Sequence, residues 1–386
     1  MSWKTVKLGD VCKVIAGQSP EGKYYNNDGV GIPFYQGKKD FGKVYINSPS
    51  VWTTEITKEA IKDDILMSVR APVGPVNISR ENICIGRGLA AIRSSEKIDK
   101  SYLFNYLLSI EKDLIGSSGA VFNSINKGQI EKLEIPLPPL PIQQKIVDKL
   151  DAIFAEIDKA KDMAEANIKN AEALFQSYLK QIFDYKREHW ETVRLGDILE
   201  TSAGGTPLKS IKKYYEGGDI PWLMSGEVCS KEIFTSLHKI TKLGVENSSA
   251  KLFPTNTTLI AMYGATAGQV GILRFPATTN QAVCGIMPNK NYLPEFLYYY
   301  ISFYKKTLLL EVSGVAQPNL SQIKIKNIPL PKISLGIQQK MLAKLDEISA
   351  QVSNLNQLWK DKVNNLTFLQ QSILKQAFNG ELIKAA

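Results

Sequence analysis

At 386 residues and 42.9 kDa the chain is longer than one ordinary hydrophobic core can fill, so two to four domains are expected. Apolar residues make up 44% and charged residues 22%, a globular balance that excludes a disordered, collagenous or membrane-spanning chain. The net charge of +9 points toward a polyanionic partner, and the first residues carry no apolar signal region, so a soluble, cytoplasmic protein is expected. Four cysteines (Cys12, Cys84, Cys229, Cys284) and two histidines (His189, His238) have none of the paired spacings a zinc site or a disulfide scaffold needs.

In chain order, residues 3–20 (WKTVKLGDVCKVIAGQSP) return as residues 190–207 (WETVRLGDILETSAGGTP), an offset of 187. Short β-branched runs at 11–15 and 65–69, with turn residues between them, read as strands, and 100–110 reads as a helix. A proline-rich stop at 136–141 precedes residues 142–183, which contain no Gly or Pro and read as one long helix. The second copy follows the same order: a strand at 258–263, a helix at 294–310, the IPLP motif again at 328–331, and a second long helix at 337–378. The predicted fold is α+β, with two similar globular α/β domains at 1–141 and 185–336. Each is followed by a spacer helix, at 142–184 and 337–386.

Both long helices carry apolar residues that step by threes and fours, the heptad pattern of a coiled coil. Leu150, Ile153, Ala160 and Leu174 lie on the first seam, and Leu345, Trp359, Leu366 and Leu369 on the second. Matched seams predict an antiparallel pair with pseudo-twofold symmetry, in which partner numbers total about 519. That register sets Leu150 against Leu369, Ile153 against Leu366 and Leu174 against Leu345, and packs large Trp359 on small Ala160. A helix of this length spans roughly 63 Å.

The globular segments hold the whole +9 excess and the spacer helices sum to zero. Two basic modules on a rod suit two half-sites on one face of duplex DNA. Base readout needs paired donors and acceptors: Arg for guanine, Asn or Gln for adenine, and Lys, Ser and Tyr for phosphates. The first module offers Gln36, Lys38, Lys39, Arg70 and Arg87; the second offers Ser225, Tyr263, Gln269, Asn280 and Gln281. Residues 17–23 (GQSPEGK) begin like a phosphate-binding loop, but Tyr24 stands where the magnesium-binding hydroxyl belongs and the repeat lacks the pattern. No repeated acid–base pair or nucleophile motif is present, so the chain reads as a non-catalytic binder.

The W-x-x-V-x-L-G-D openings at Trp3 and Trp190, the turns ending at Pro20 and Pro207, the IPLP stops, the IQQK starts at Ile142 and Ile337 and the closing LKQAFNGEL at 374–382 occur together. In this combination the chain resembles the specificity subunit of type I restriction-modification systems. The first copy departs from the pattern in ending LKQIFDYK. The resemblance implies two target recognition domains on a paired-helix spacer, each reading half of a bipartite double-stranded DNA site. It also implies two modification subunits bringing S-adenosylmethionine, and restriction subunits that add ATP- and magnesium-dependent cleavage, with no cofactor in this chain and no membrane partner. On that basis Gln143, Gln144, Lys145, Gln338, Gln339 and Lys340 become candidates for subunit contact. Two other readings stay open: a self-sufficient methyltransferase or nuclease, and a coiled-coil scaffold whose basic modules bind proteins.

Overall fold

The structure, a computed structural model, describes residues 3–114, 124–187, 190–310 and 320–384. The chain divides into two compact units, Met1–Glu165 with Lys360–Ala386, and Ala166–Trp359. The compact units therefore do not follow the four segments read from the sequence. Each contains a module, the first half of the long helix that follows it, and the last half of the other long helix.

In the first unit the strands Ile65–Ser68, Val76–Ile78, Ile83–Ile85 and Leu89–Ser94 are apolar runs buried over most or all of their length, as strands covered on both faces must be. Cys12–Ala16 alternates buried and exposed residues and forms the edge of an antiparallel sheet with Leu89–Ser94, Ile65–Ser68 and Val76–Ile78. A second sheet is built around the parallel pair Ile32–Tyr35 and Ile83–Ile85, with Phe34 opposite Cys84. The second unit repeats this plan: Thr201–Ala203, Val283–Ile286, Thr258–Ala261 and Val270–Leu273 in one sheet, and the parallel pair Ile220–Leu223 with Thr278–Thr279 in another. Both IPLP motifs form two-stranded ribbons with their module's first strand, Val6 opposite Ile135 and Val193 opposite Leu330. Module helices at Lys100–Leu114 and Pro294–Leu310 seal these ribbons: Tyr102 Oη donates to the Pro136 carbonyl at 2.7 Å, and Tyr300 Oη to that of Pro329.

The long helices run Leu140–Arg187 and Leu335–Phe378. Each begins two residues before its predicted start; in the first helix Pro141 fits a first turn whose N–H would have no intrahelical partner. In the first unit the two helix halves are antiparallel: near the start of the first helix Lys149 Nζ donates to the Leu382 carbonyl, just past the end of the second, at 3.1 Å, and further along Lys161 Nζ donates to Gln370 Oε1 at 3.0 Å. Ile146 and Leu150 share a core with Leu374, Ala377 and Phe378. In the second unit the repeat-equivalent residues Met341 and Leu345 share a core with Leu179, Phe183 and half-buried Ile182.

This corrects the predicted register. Leu174 is 64% and Leu369 47% exposed, so neither serves as a seam residue. Phe175 and Gln370 are half-buried beside them, and Leu150 and Leu345 pack elsewhere than the 519 register requires. The cause is geometric: a nearly straight α-helix drifts about 20° per heptad against a strict seven-residue repeat, so over several heptads the buried stripe moves by one residue. Leu150 and Leu345 are buried, and Ile153, Ala160, Trp359 and Leu366 are half-buried.

Cys12, Cys84 and Cys284 are buried and Cys229 is exposed. Burial pushes the Cys12 and Cys284 thiols up to about 12. A thiol reagent at about pH 8 should therefore label Cys229 alone in the native chain and all four cysteines after denaturation, since the thiolate is the reactive form. Rapid native labelling of Cys12 or Cys284 would contradict this packing.

Candidate nucleic-acid interface

In the first module a cleft of about 260 Å³ is lined by Ser19, Gln36, Gly37, Lys38, Ser68, Arg70, Ala71, Arg87 and Gly88. Four of the five residues singled out in this module, Gln36, Lys38, Arg70 and Arg87, are thus brought together. Lys39 is exposed on the same short turn, Lys38–Asp40, but lies outside the cleft lining. Backbone segments cross closely here, and glycines allow it. A Cβ on Gly88 would stand 2.2 Å from the Gln36 carbonyl oxygen, and one on Gly17 would stand 2.2 Å from that of Gly86.

The strand register brings the two arginines to one cleft. Ser68 pairs with Leu89, and the Val69 N–H donates to the Gly88 carbonyl at 2.9 Å, so Arg70, just past the paired strand, and Arg87, in the turn that precedes Leu89, both reach the cleft lining. Two like charges lining one cleft repel each other unless an anion lies between them. Neither guanidinium has a hydrogen-bond or carboxylate partner among the described residues, in contrast to Arg93, which is bidentate to buried Asp64 at 2.9 and 2.8 Å. Burial pushes the Glu111 carboxyl up, with Lys38 and Lys112 pulling the other way.

The second module repeats the framework with different chemistry. Ala261 pairs with Val283, and the Met262 N–H donates to the Ala282 carbonyl at 2.7 Å, so Tyr263 and Gln281 occupy the positions of Arg70 and Arg87. Both are exposed, and the Thr206 hydroxyl donates to Gln281 Oε1. Ser225 begins the turn Ser225–Glu227, the counterpart of Lys38–Asp40. Gln269 instead lines a separate cavity of about 570 Å³ with Phe175, Tyr298, Phe303, Lys305 and Lys306. Burial lowers Lys305 there.

Three expectations are corrected. Asn280 is 7% exposed, its Oδ1 accepts from the Ala282 N–H at 3.1 Å and its amide nitrogen faces Met224 Sδ, so it braces the turn and cannot reach a base. Gln143 and Gln338 are fully buried and cannot be surface contacts. Gln143 Oε1 accepts from the Asp99 N–H at 2.8 Å while Nε2 donates to the Pro138 and Lys97 carbonyls at 2.8 and 3.2 Å. Gln338 makes the equivalent three bonds to Leu293 N–H and to the Asn291 and Ile333 carbonyls. These glutamines tie each long helix to the approach of its module helix; Gln144, Lys145, Gln339 and Lys340 beside them are exposed. Ser19 and Thr206 were missed, although both copies keep a hydroxyl immediately before the turn proline.

Comparison with known proteins agrees with this repeated design. Among curated relatives, the putative type I restriction enzyme MjaX specificity subunit of Methanocaldococcus jannaschii is 47% identical over 156 residues, 39% of this chain and 36% of that protein. The MjaIX specificity subunit of the same organism is 26% identical across 85% of this chain and 83% of its own length, and the EcoBI specificity subunit of Escherichia coli is 24% identical across 99% and 86%. A solved chain from the assembly of a type I R-M system superposes with a TM-score of 0.73 at 21% identity, covering 98% of both chains. The HsdS subunit from Thermoanaerobacter tengcongensis gives 0.51 at 20% identity, covering 98% of this chain and 97% of its own. A family model for the type I restriction modification DNA specificity domain matches residues 1–167 and 187–365, once in each repeat, and the chain belongs to that family.

Proposed function

We propose that this chain is the DNA-reading subunit of a type I restriction-modification complex, each module recognising one half of an asymmetric bipartite duplex site. The observation that carries the reading is the cleft: two unpartnered guanidiniums beside Lys38, on a backbone framework that recurs in the second module. A phosphate or a base edge in the cleft lined by Arg70 and Arg87 relieves their repulsion and satisfies their donors at once. In this reading the chain performs no chemistry. Modification subunits supply S-adenosylmethionine and methyl transfer to adenine, and restriction subunits supply ATP- and magnesium-dependent cleavage. Exposed Gln144, Lys145, Gln339 and Lys340 remain the candidates for subunit contact, and the complex works on DNA in the cytoplasm.

The test is co-purification with the modification subunits, followed by sequencing of methylated adenines in DNA exposed to the complex. One asymmetric bipartite motif with a fixed gap is the expected result. Methylation by this chain alone would make it an enzyme. Duplex binding with no motif, no tighter than that of any basic protein at the same salt, would favour the protein-binding scaffold.

A further inference from the structure

The chain has seven arginines. Arg93 pairs with Asp64, Arg194 with Asp197, and Arg274 with Glu232 and Glu295, while Arg80 lies over the Tyr45 ring. Among the described arginine side chains, only Arg70 and Arg87 have no partner, and both line the first module's cleft. In the second module's strand framework the corresponding positions are Tyr263 and Gln281, and both arginines there, Arg194 and Arg274, are held by carboxylates.

We infer that the two modules read different bases at this matched position: the first reads a guanine through Arg87 with Arg70 beside it, and the second reads an adenine through Gln281. The inference rests on the DNA-reading role proposed above. A guanidinium presents parallel N–H donors that match the O6 and N7 acceptors of guanine, whereas a carboxamide presents one donor and one acceptor, matching N7 and the N6 amino group of adenine. The hydroxyls next to these side chains fit that assignment. Thr206 donates to Gln281 Oε1, which orients the amide and leaves its second lone pair and its N–H donors available. Ser19, at the same place in the first module, accepts from the Arg87 backbone N–H at 3.3 Å and leaves the guanidinium unengaged.

The experiment sequences methylated adenines in a random-duplex pool treated with the full complex of this chain and its modification subunits. Wild type, Arg87→Gln, Arg87→Lys and Gln281→Arg are compared, each first checked for an unchanged melting temperature. Arg87→Gln is expected to lower the guanine preference at one position of one half-site by about tenfold or more, with adenine gaining there and the other half unchanged. Arg87→Lys should weaken the same position while leaving the salt dependence of binding as it was, because the charge is kept and the two-pronged geometry is lost. Gln281→Arg should move one position of the other half from adenine toward guanine. A bipartite motif that no variant alters, or a uniform loss across all sequences with Arg87→Gln, overturns the base assignment while the reading role stands. Absence of any bipartite motif with wild type overturns the reading role itself.

Discussion

Gln143→Leu and Gln338→Leu each destabilise the chain by about 2–6 kcal/mol, in the absence of any partner or DNA. Leucine nearly matches glutamine in volume, so little cavity forms and the loss comes from hydrogen bonds. Without the Gln143 amide, the buried Pro138 carbonyl and the partly buried Asp99 N–H and Lys97 carbonyl lose their partner. The buried carbonyl left unpaired costs about 1–3 kcal/mol and each of the two partly buried bonds about 0.5–1.5 kcal/mol, which together set the range. Urea unfolding followed by tryptophan fluorescence measures it. Trp3 and Trp52 belong to the first unit and Trp190, Trp222 and Trp359 to the second, so the two substitutions should move different transitions. Gln144→Leu and Gln339→Leu, at exposed neighbours, should change stability by less than about 0.5 kcal/mol. If Gln143→Leu instead left unfolding unchanged and only weakened the hold on a modification subunit, the buried bracket would be wrong and the surface-contact role restored.

The glutamines show what a single sequence can convey about such a position. The IQQK repeat announced that the helix start matters, but two adjacent glutamines look alike in sequence. Which one turns inward depends on where the preceding loop crosses the helix, a tertiary fact that no local pattern carries. Asn280 failed for the same reason: an amide in a tight turn bonds its own backbone as readily as a base, and only burial separates the two uses. By contrast, the cleft was legible through the duplication. Gln36, Lys38, Arg70 and Arg87 follow strands that recur in the second copy, and residues placed just after paired strands converge once the strands pair.

The architecture was legible in kind and misread in register. Absence of Gly and Pro marked both long helices, and the repeat marked both modules. The heptad count went astray because it was extended as a rigid period through helices of 48 and 44 residues, long enough for the 3.6-residue turn to outrun it. The division of the compact units was also hidden, since nothing local indicates that the last half of each long helix packs with the other repeat's module.

That packing yields the sharpest stability contrast. Phe183→Ala and Phe378→Ala should each cost about 3–5 kcal/mol, whereas Leu174→Ala and Leu369→Ala should cost less than about 1 kcal/mol. Phe183 and Phe378 are repeat equivalents, 0% and 7% exposed. Phe183 meets Phe296 and Tyr300 of the second module helix edge-on, with centroids 5.9 and 5.3 Å away. Phe378 meets Tyr102 and Tyr106 of the first in the same manner at 5.1 and 5.2 Å. Each phenyl ring therefore fastens the end of one long helix to the module that the other long helix follows, and truncation opens a cavity that rigid aromatic neighbours cannot fill. The leucines, in contrast, sit on the heptad seam but face solvent. Should Leu174→Ala and Leu369→Ala prove the costly pair and the phenylalanines the tolerant one, the helices would pack in the 519 register after all, and the fastening of each helix end to the other repeat's module would have to be abandoned with it.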